Sequence, residues 1–118
     1  MVLCHIQGKF ICASEETTLD PDGATTVFRI FQEILTNVTR HAQATEVEVI
    51  LEESASFLTL QVRDNGRGIS ESEINSPKSI GLLGMRERAR LRSGEVQFQG
   101  RPGQGTTVTV RLPLSTNE

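Results

Sequence analysis

The hydrophobic period changes once along residues 19 to 64, and that change constrains the fold more than any other feature. In "LDPDGATTVFRIFQEILTNVTRHAQAT" apolar residues fall at Ala24, Val27, Phe28, Phe31, Ile34, Leu35, Val38 and Ala42. This is the spacing of an amphipathic helix. Asp20 suits the N-cap and Pro21 the first helical position. The next two runs, "TEVEVILEE" and "FLTLQVRD", alternate with period two across "SAS", which predicts a β-hairpin. Val47, Val49 and Leu51 share one face of the first strand, and Leu58, Leu60 and Val62 share one face of the second.

The remaining segments complete a consistent order. "VLCHIQGKFICA" reads as weak strands, and residues 65 to 80 are rich in Gly, Ser, Asn and Pro, as a loop should be. "GLLGMRERARLRS" reads as a helix closed by Gly94. "EVQFQ" and "TTVTVRLPL" alternate again around the turn "GRPGQG". Strands, long helix, hairpin, loop, helix and hairpin predict an α+β fold: a two-layer α/β sandwich with helices on one face of a mixed, mainly antiparallel sheet. At 118 residues, 36% hydrophobic and 23% charged, the chain reads as one soluble domain spanning 1–118. No apolar run approaches the roughly 18 residues of a membrane span, and "MVLCHIQGKF" lacks the pattern of a secretory signal. A net charge of −3 and an absence of Trp and Tyr offer nucleic acid neither an electrostatic footprint nor many stacking platforms. Cys4 and Cys12 are the only cysteines, so no paired metal site is expected, and both read as reduced, structural thiols of a cytoplasmic protein.

Several polar residues stand apart from this patterning. On the long helix Arg29, Glu33, Asn37 and Arg40 form a polar stripe beside the apolar one. The stripe is either a solvated face or, through Glu33 and Asn37 one turn apart, a set of oxygen ligands for hydrated Mg²⁺. Asp64 continues the parity of Leu58, Leu60 and Val62, so its carboxylate points inward. An inward carboxylate is costly unless it is hydrogen-bonded or meets a polar cavity, and it can accept from the exocyclic amine of a purine. Thr106 shares parity with Val108, Val110 and Leu112, which turns a hydroxyl to the same side. Gly66 and Gly68 permit close backbone approach, while Gly81 and Gly84 open the next helix, where free N–H groups favour phosphate. Each glycine pair alone is a weak signal. Inward Asp, Gly-x-Gly, loop, Gly-rich helix start and a final Gly-x-Gly-Thr together describe a nucleotide with its base against the sheet and its phosphates under a lid.

These motifs carry a family resemblance. The chain resembles the ATP-binding catalytic domain of sensor histidine kinases, in the Bergerat-fold (GHKL) superfamily shared with gyrase B and MutL. It is most similar to the subgroup that partners response regulators with LuxR-type DNA-binding domains. "FRIFQEILTNVTRHAQAT" resembles the N box, "DNGRGI" the first glycine box, "SIGLLGMRERA" the second, and "PGQGTTVTVRLPL" the closing strand. The four ordered motifs cover roughly residues 24 to 114.

The resemblance implies ATP and Mg²⁺ as ligands. Asn37 would hold the metal with Glu33 beside it, Arg40 would approach the phosphates, and Asp64 would receive the adenine amine with Thr106 in support, directly or through water. Gly66, Gly68, Ile69, Gly81, Leu82, Gly84 and Met85 would shape the pocket and the lid. His41 matches the pattern too, next to the nucleotide, as a structural imidazole at the helix end and not as a phosphate acceptor. The base acting on the acceptor is either carried by the acceptor's own helix or is Glu33. Ser79 departs from the second glycine box, Ser93–Gly94 replaces a Gly-Gly as a harmless cap change, and the lid of residues 69 to 80 is short, with Lys78 its one lysine. His5 lacks the His-Asp context of a phosphoacceptor, so the chain is expected to be either the catalytic domain of a longer kinase or a stand-alone version, with the dimerisation and phosphoacceptor helices elsewhere. The implied partners are those helices and a response regulator. The isolated domain is expected to be a monomer, inactive in autophosphorylation, either cytoplasmic or the cytoplasmic part of a membrane-bound sensor. Alternatives are an anti-sigma-factor-like serine kinase of the same superfamily and a non-catalytic nucleotide-binding module. "RERARLR" reads as a solvated helix surface, or else as a docking surface for the helical domain or the regulator.

Overall fold

A computed structural model describes residues 7–12, 21–39, 44–54, 56–74, 80–101 and 103–114. Cys4, His5, Asp20, Arg40, His41, Ala42, Lys78 and Ser79 lie outside these residues, and with them the expectations attached to each. In chain order the elements are β1 (Gln7–Cys12), α1 (Pro21–Asn37), β2 (Glu46–Glu53), β3 (Phe57–Asp64), α2 (Glu71–Ile74), α3 (Ile80–Leu91), β4 (Glu95–Arg101) and β5 (Gly105–Pro113). They follow the order expected from sequence, with one addition. The glycine- and serine-rich loop contains the single helical turn α2.

The sheet runs β1-β2-β3-β5-β4. β1 pairs with β2 in parallel, because α1 lies between them as a crossover. The other three pairings are antiparallel. Alternation on the strands becomes rows across the sheet: Val49 opposes Val62, Val62 opposes Val108, and Val108 opposes Phe98. The next row joins Leu51, Leu60, Val110 and Val96. Against these rows pack Ile30, Ile34 and Val38 of the α1 segment and Leu82, Met85 and Ala89 of α3. This is the predicted two-layer arrangement.

The helix α1 is rotated relative to the stripe read from its sequence. Ile30 is wholly buried, whereas Ala24 is exposed and Phe28 is 58% exposed. The apolar arc runs from Ile30 to Phe28, and the sheet covers its Ile30 side: Ile34 and Val38 join Ile30 in the core, Val27, Phe31 and Leu35 pack against it, and the edge formed by Ala24 and Phe28 is left out. Burying Ile30 or Met85 contributes about 1.5–3 kcal/mol each. After Asn37 the helix widens into a π turn over Val38 and Thr39, a distortion often found at functional sites.

At its far end α3 closes with a Schellman motif: Gly94 N–H donates to the Ala89 carbonyl at 2.8 Å, and Ser93 N–H to the Arg90 carbonyl at 2.9 Å. The left-handed residue is Ser93, with φ 61°, and not Gly94. The cap change is therefore not harmless, since it places a side chain where glycine is favoured. Gly94 has a different reason for being glycine: a Cβ there would strike the Arg111 carbonyl and Leu112. Nor is the arginine cluster uniformly solvated. Arg86 stacks on the Phe98 ring at 5.2 Å, while Arg90 and Glu87 form an exposed pair at 3.7 Å.

Candidate nucleotide-binding site

β3 ends on Asp64, which opposes Val47 in register and is 6% exposed, the one buried charged side chain among the described residues. Parity along the strand turned it inward, as the sequence implied. Its Oδ1 accepts from the Gly66 amide at 2.8 Å and from the Thr106 amide at 3.3 Å. Both hydrogen bonds fall on one oxygen, which among the described residues leaves Oδ2 as an acceptor. The Thr106 hydroxyl does not support the carboxylate directly. It accepts from the Ile69 amide at 2.8 Å, so Thr106 holds Asp64 with its backbone and the glycine loop with its side chain.

Close backbone packing fixes this corner. Gly68 has φ +83°, and a Cβ there would run into the Arg101 carbonyl, with Gly105 O at 3.1 Å. Gly105 has φ +109° and lies against the Asp64 carbonyl, whose carbon would be 2.8 Å from a Cβ. Gly103 N–H donates to the Arg67 carbonyl at 2.7 Å. The first glycine box is thus clamped to the β4–β5 turn, and the Cβ position of Gly68 faces backbone. Asn65, the first residue after β3, has a definite task. Its Oδ1 accepts from the Thr45 and Glu46 amides at 2.9 and 3.0 Å, and its Nδ2 donates to Thr45 Oγ1 at 3.0 Å. It ties the end of β3 to the start of β2. The partners are 19 and 20 residues away, so no local pattern could have announced them.

A second group forms where α1 meets α3. Glu33 and Asn37, one turn apart on α1, are both half-buried. The Glu33 carboxylate lies against Gly81: a Cβ on that glycine would overlap Oε2 and stand 3.1 Å from Cδ. Gly84 lies deeper in the helix than a start position, with Arg88 Nη1 3.2 Å from its Cβ position. A groove of about 600 Å³ follows α1, lined by Thr25, Phe28, Arg29, Gln32, Glu33 and Thr36, with Arg88 opposite. Leu82 and Met85 are buried in the core, at 7% and 0% exposure.

The structure therefore brings together Asp64, Gly66, Gly68, Ile69 and Thr106 as one cluster, and Glu33 with Gly81 as another. Among the described residues no three His, Cys, Asp or Glu side chains gather as a metal site. A hydrated Mg²⁺ that also binds phosphate needs only one or two protein oxygens. The Asn37 side chain, half-buried and without a hydrogen bond among the described residues, fits that demand.

Comparison of the fold gives the class. A histidine kinase domain from the Erythrobacter litoralis EL346 blue-light activated histidine kinase superposes over 95% of this chain and 53% of its own, with TM-score 0.72 and 24% identity. The Acinetobacter baumannii histidine kinase AdeS superposes with TM-score 0.78 and 15% identity, over 95% of this chain and 56% of its own. The fold is that of a histidine kinase ATPase domain. The sequence then gives the family: residues 22–116 match the histidine kinase-, DNA gyrase B- and HSP90-like ATPases, and the chain belongs to that family. ATP binding comes with it.

Among relatives, the signal transduction histidine-protein kinase/phosphatase DegS of Brevibacillus brevis is 37% identical over 78% of this chain and 24% of its own length. DegS of Bacillus subtilis is 35% identical over 86% and 27%. The sensor histidine kinase LiaS of Bacillus subtilis is 40% identical over 78% and 25%. The chain spans about a quarter of the length of the curated relatives it matches. No helix among the described residues is long and apolar enough to cross a membrane.

Proposed function

We propose that the chain is the catalytic domain of a two-component sensor histidine kinase. In this reading it binds ATP with adenine at the Asp64 corner and delivers the γ-phosphoryl to a histidine on a separate dimerisation helix. The observation that carries the reading is Asp64 itself. Its carboxylate is buried, oriented by two backbone amides on Oδ1, and left with Oδ2 to accept. An adenine amine supplies the matching donor. A charged acceptor desolvated in this way makes a stronger hydrogen bond than a neutral one.

The phosphates then lie toward the α1–α3 side, where Asn37 supplies the oxygen for Mg²⁺; Arg40, outside the described residues, supplies the positive charge. Bound Mg²⁺ supplies neutralisation of charge on the transferring phosphoryl, and transfer depends chiefly on positioning and such neutralisation. The acceptor imidazole forms its N–P bond as the bond from γ-phosphorus to the β–γ bridging oxygen breaks, and ADP leaves. Glu33 faces the acceptor and takes the proton or hydrogen bond of the imidazole nitrogen opposite the attacking one. A response regulator of the kind that carries a LuxR-type DNA-binding domain is the onward partner, and the location is cytoplasmic. In this reading the phosphoacceptor helices belong to another segment of the same kinase.

Asp64→Asn tests the base pocket. The substituted amide keeps an oxygen for Gly66 and Thr106, so circular dichroism should show the fold intact. Titration calorimetry should show ATP affinity lower by about 10- to 150-fold, the value of a charge-assisted hydrogen bond of about 1.5–3 kcal/mol. Unchanged affinity would sink the adenine assignment.

A further inference from the structure

The geometry points to Gly81 as a positioning residue for Glu33: the missing side chain of this glycine is the space in which the Glu33 carboxylate rests. The inference rests on the reading that Glu33 acts on the phosphoryl acceptor, and it gives the second glycine box a task other than contact with phosphate.

Gly81 differs from the glycines of the Asp64 corner in what surrounds it. At Gly68, Gly100 and Gly105 a Cβ would strike backbone atoms, which cannot withdraw. At Gly81 the obstacles are Glu33 Oε2, Cδ at 3.1 Å and Cγ at 3.6 Å, the far end of one flexible side chain. Conformational freedom is not the reason for glycine here, because its φ is not among the positive values. A glycine inside a helix is less favourable than alanine by roughly 0.5–1 kcal/mol, so helix formation alone argues against it. The carboxylate, meanwhile, has no hydrogen bond or ion pair among the described residues that would hold it elsewhere. It lies beside the first turn of α3, the positive end of that helix dipole, which favours a negative charge. The bare Cα of Gly81 thus lets the carboxylate approach the helix start, and contact with that backbone sets its position. A methyl group at residue 81 fits only if Glu33 swings out toward the groove. The fold survives this, and the placement of the carboxylate does not.

The test is a double-mutant cycle in the full-length protein carrying this chain: wild type, Gly81→Ala, Glu33→Gln and the double variant. Affinity for a non-hydrolysable ATP analogue is read by calorimetry, and the phosphohistidine formation rate is read with γ-labelled ATP at saturation. Gly81→Ala should keep analogue affinity within about threefold and thermal stability at least at the wild-type level, yet lower the saturated rate tenfold or more. In the Glu33→Gln background the same substitution should change the rate less than twofold, because no carboxylate remains to displace. Equal rate losses in both backgrounds, or a loss of affinity at unchanged rate, would overturn the inference and return Gly81 to phosphate contact. A Glu33→Gln protein with the wild-type rate would overturn the role of Glu33 in transfer, and the positioning role with it.

Discussion

The Asp64 corner and the meeting of α1 with α3 are both rich in glycine, but the glycines answer different demands. In the corner, Gly68 and Gly105 carry positive φ, and their Cβ positions are filled by main chain. Along α3, Gly81 and Gly84 have ordinary helical backbone, and side-chain ends fill their Cβ positions. Main chain cannot yield, so the corner is preorganised and its geometry exists before any ligand arrives. Side chains can yield, so the α3 face is adjustable and open to a groove. A pocket that reads a flat, invariant base gains from the first arrangement. A site that must position phosphates and then admit an acceptor gains from the second.

The comparison breaks most visibly at Gly105. Alanine there would combine a backbone conformation that L side chains rarely adopt with a clash against the Asp64 carbonyl. Gly105→Ala should cost about 3 kcal/mol or more, read as a lower urea midpoint. Whatever folds should bind ATP more weakly, because the β5 start and the end of β3 can no longer touch. A midpoint within experimental error of wild type would mean that the corner is as adaptable as α3.

Asn65 tests the same rigidity through hydrogen bonds instead of contact. Asn65→Ala removes three hydrogen bonds that tie β3 to the approach to β2. The groups released are near solvent, so the loss should be modest, about 1–2 kcal/mol at unchanged m-value. A wild-type midpoint would show that the glycine packing alone holds the corner.

Much of this arrangement was legible in the sequence, for definable reasons. Strand parity is a period of two with no rotational freedom, so it aimed Asp64 and Thr106 correctly. The helix was equally visible as a helix, and Val27, Phe31, Ile34, Leu35 and Val38 of its stripe do meet the core, but the centre of the buried side was displaced. Ile30 lies at the centre of the core, and Phe28, which looked equally apolar, faces the groove. What local pattern could not carry were the side-chain and loop contacts between segments distant in sequence. The clasp of Asn65 on Thr45, the turn of Gly103 toward Arg67 and the rest of Glu33 on Gly81 join residues about 20 to 50 positions apart. The glycine motifs marked where these contacts would be, but not which atoms would make them.

The smallest effect lies at the far end of α3, where the demand seen in the corner recurs without its usual answer. Ser93 holds φ 61° in the Schellman turn, with its amide and that of Gly94 donating back to Arg90 and Ala89. A left-handed residue with a Cβ costs roughly 1–2 kcal/mol relative to glycine, partly offset by the extra freedom glycine gives the unfolded chain. Ser93→Gly should therefore stabilise the protein by about 0.5–1 kcal/mol, raising Tm by a few degrees in calorimetry. Ser93 is exposed and belongs to neither cluster, so ATP affinity should stay the same. Added stability without a change in binding would separate the backbone strain at the end of α3 from the carboxylate geometry at its start. A destabilised Ser93→Gly protein would show that the serine side chain does something there that outweighs the strain.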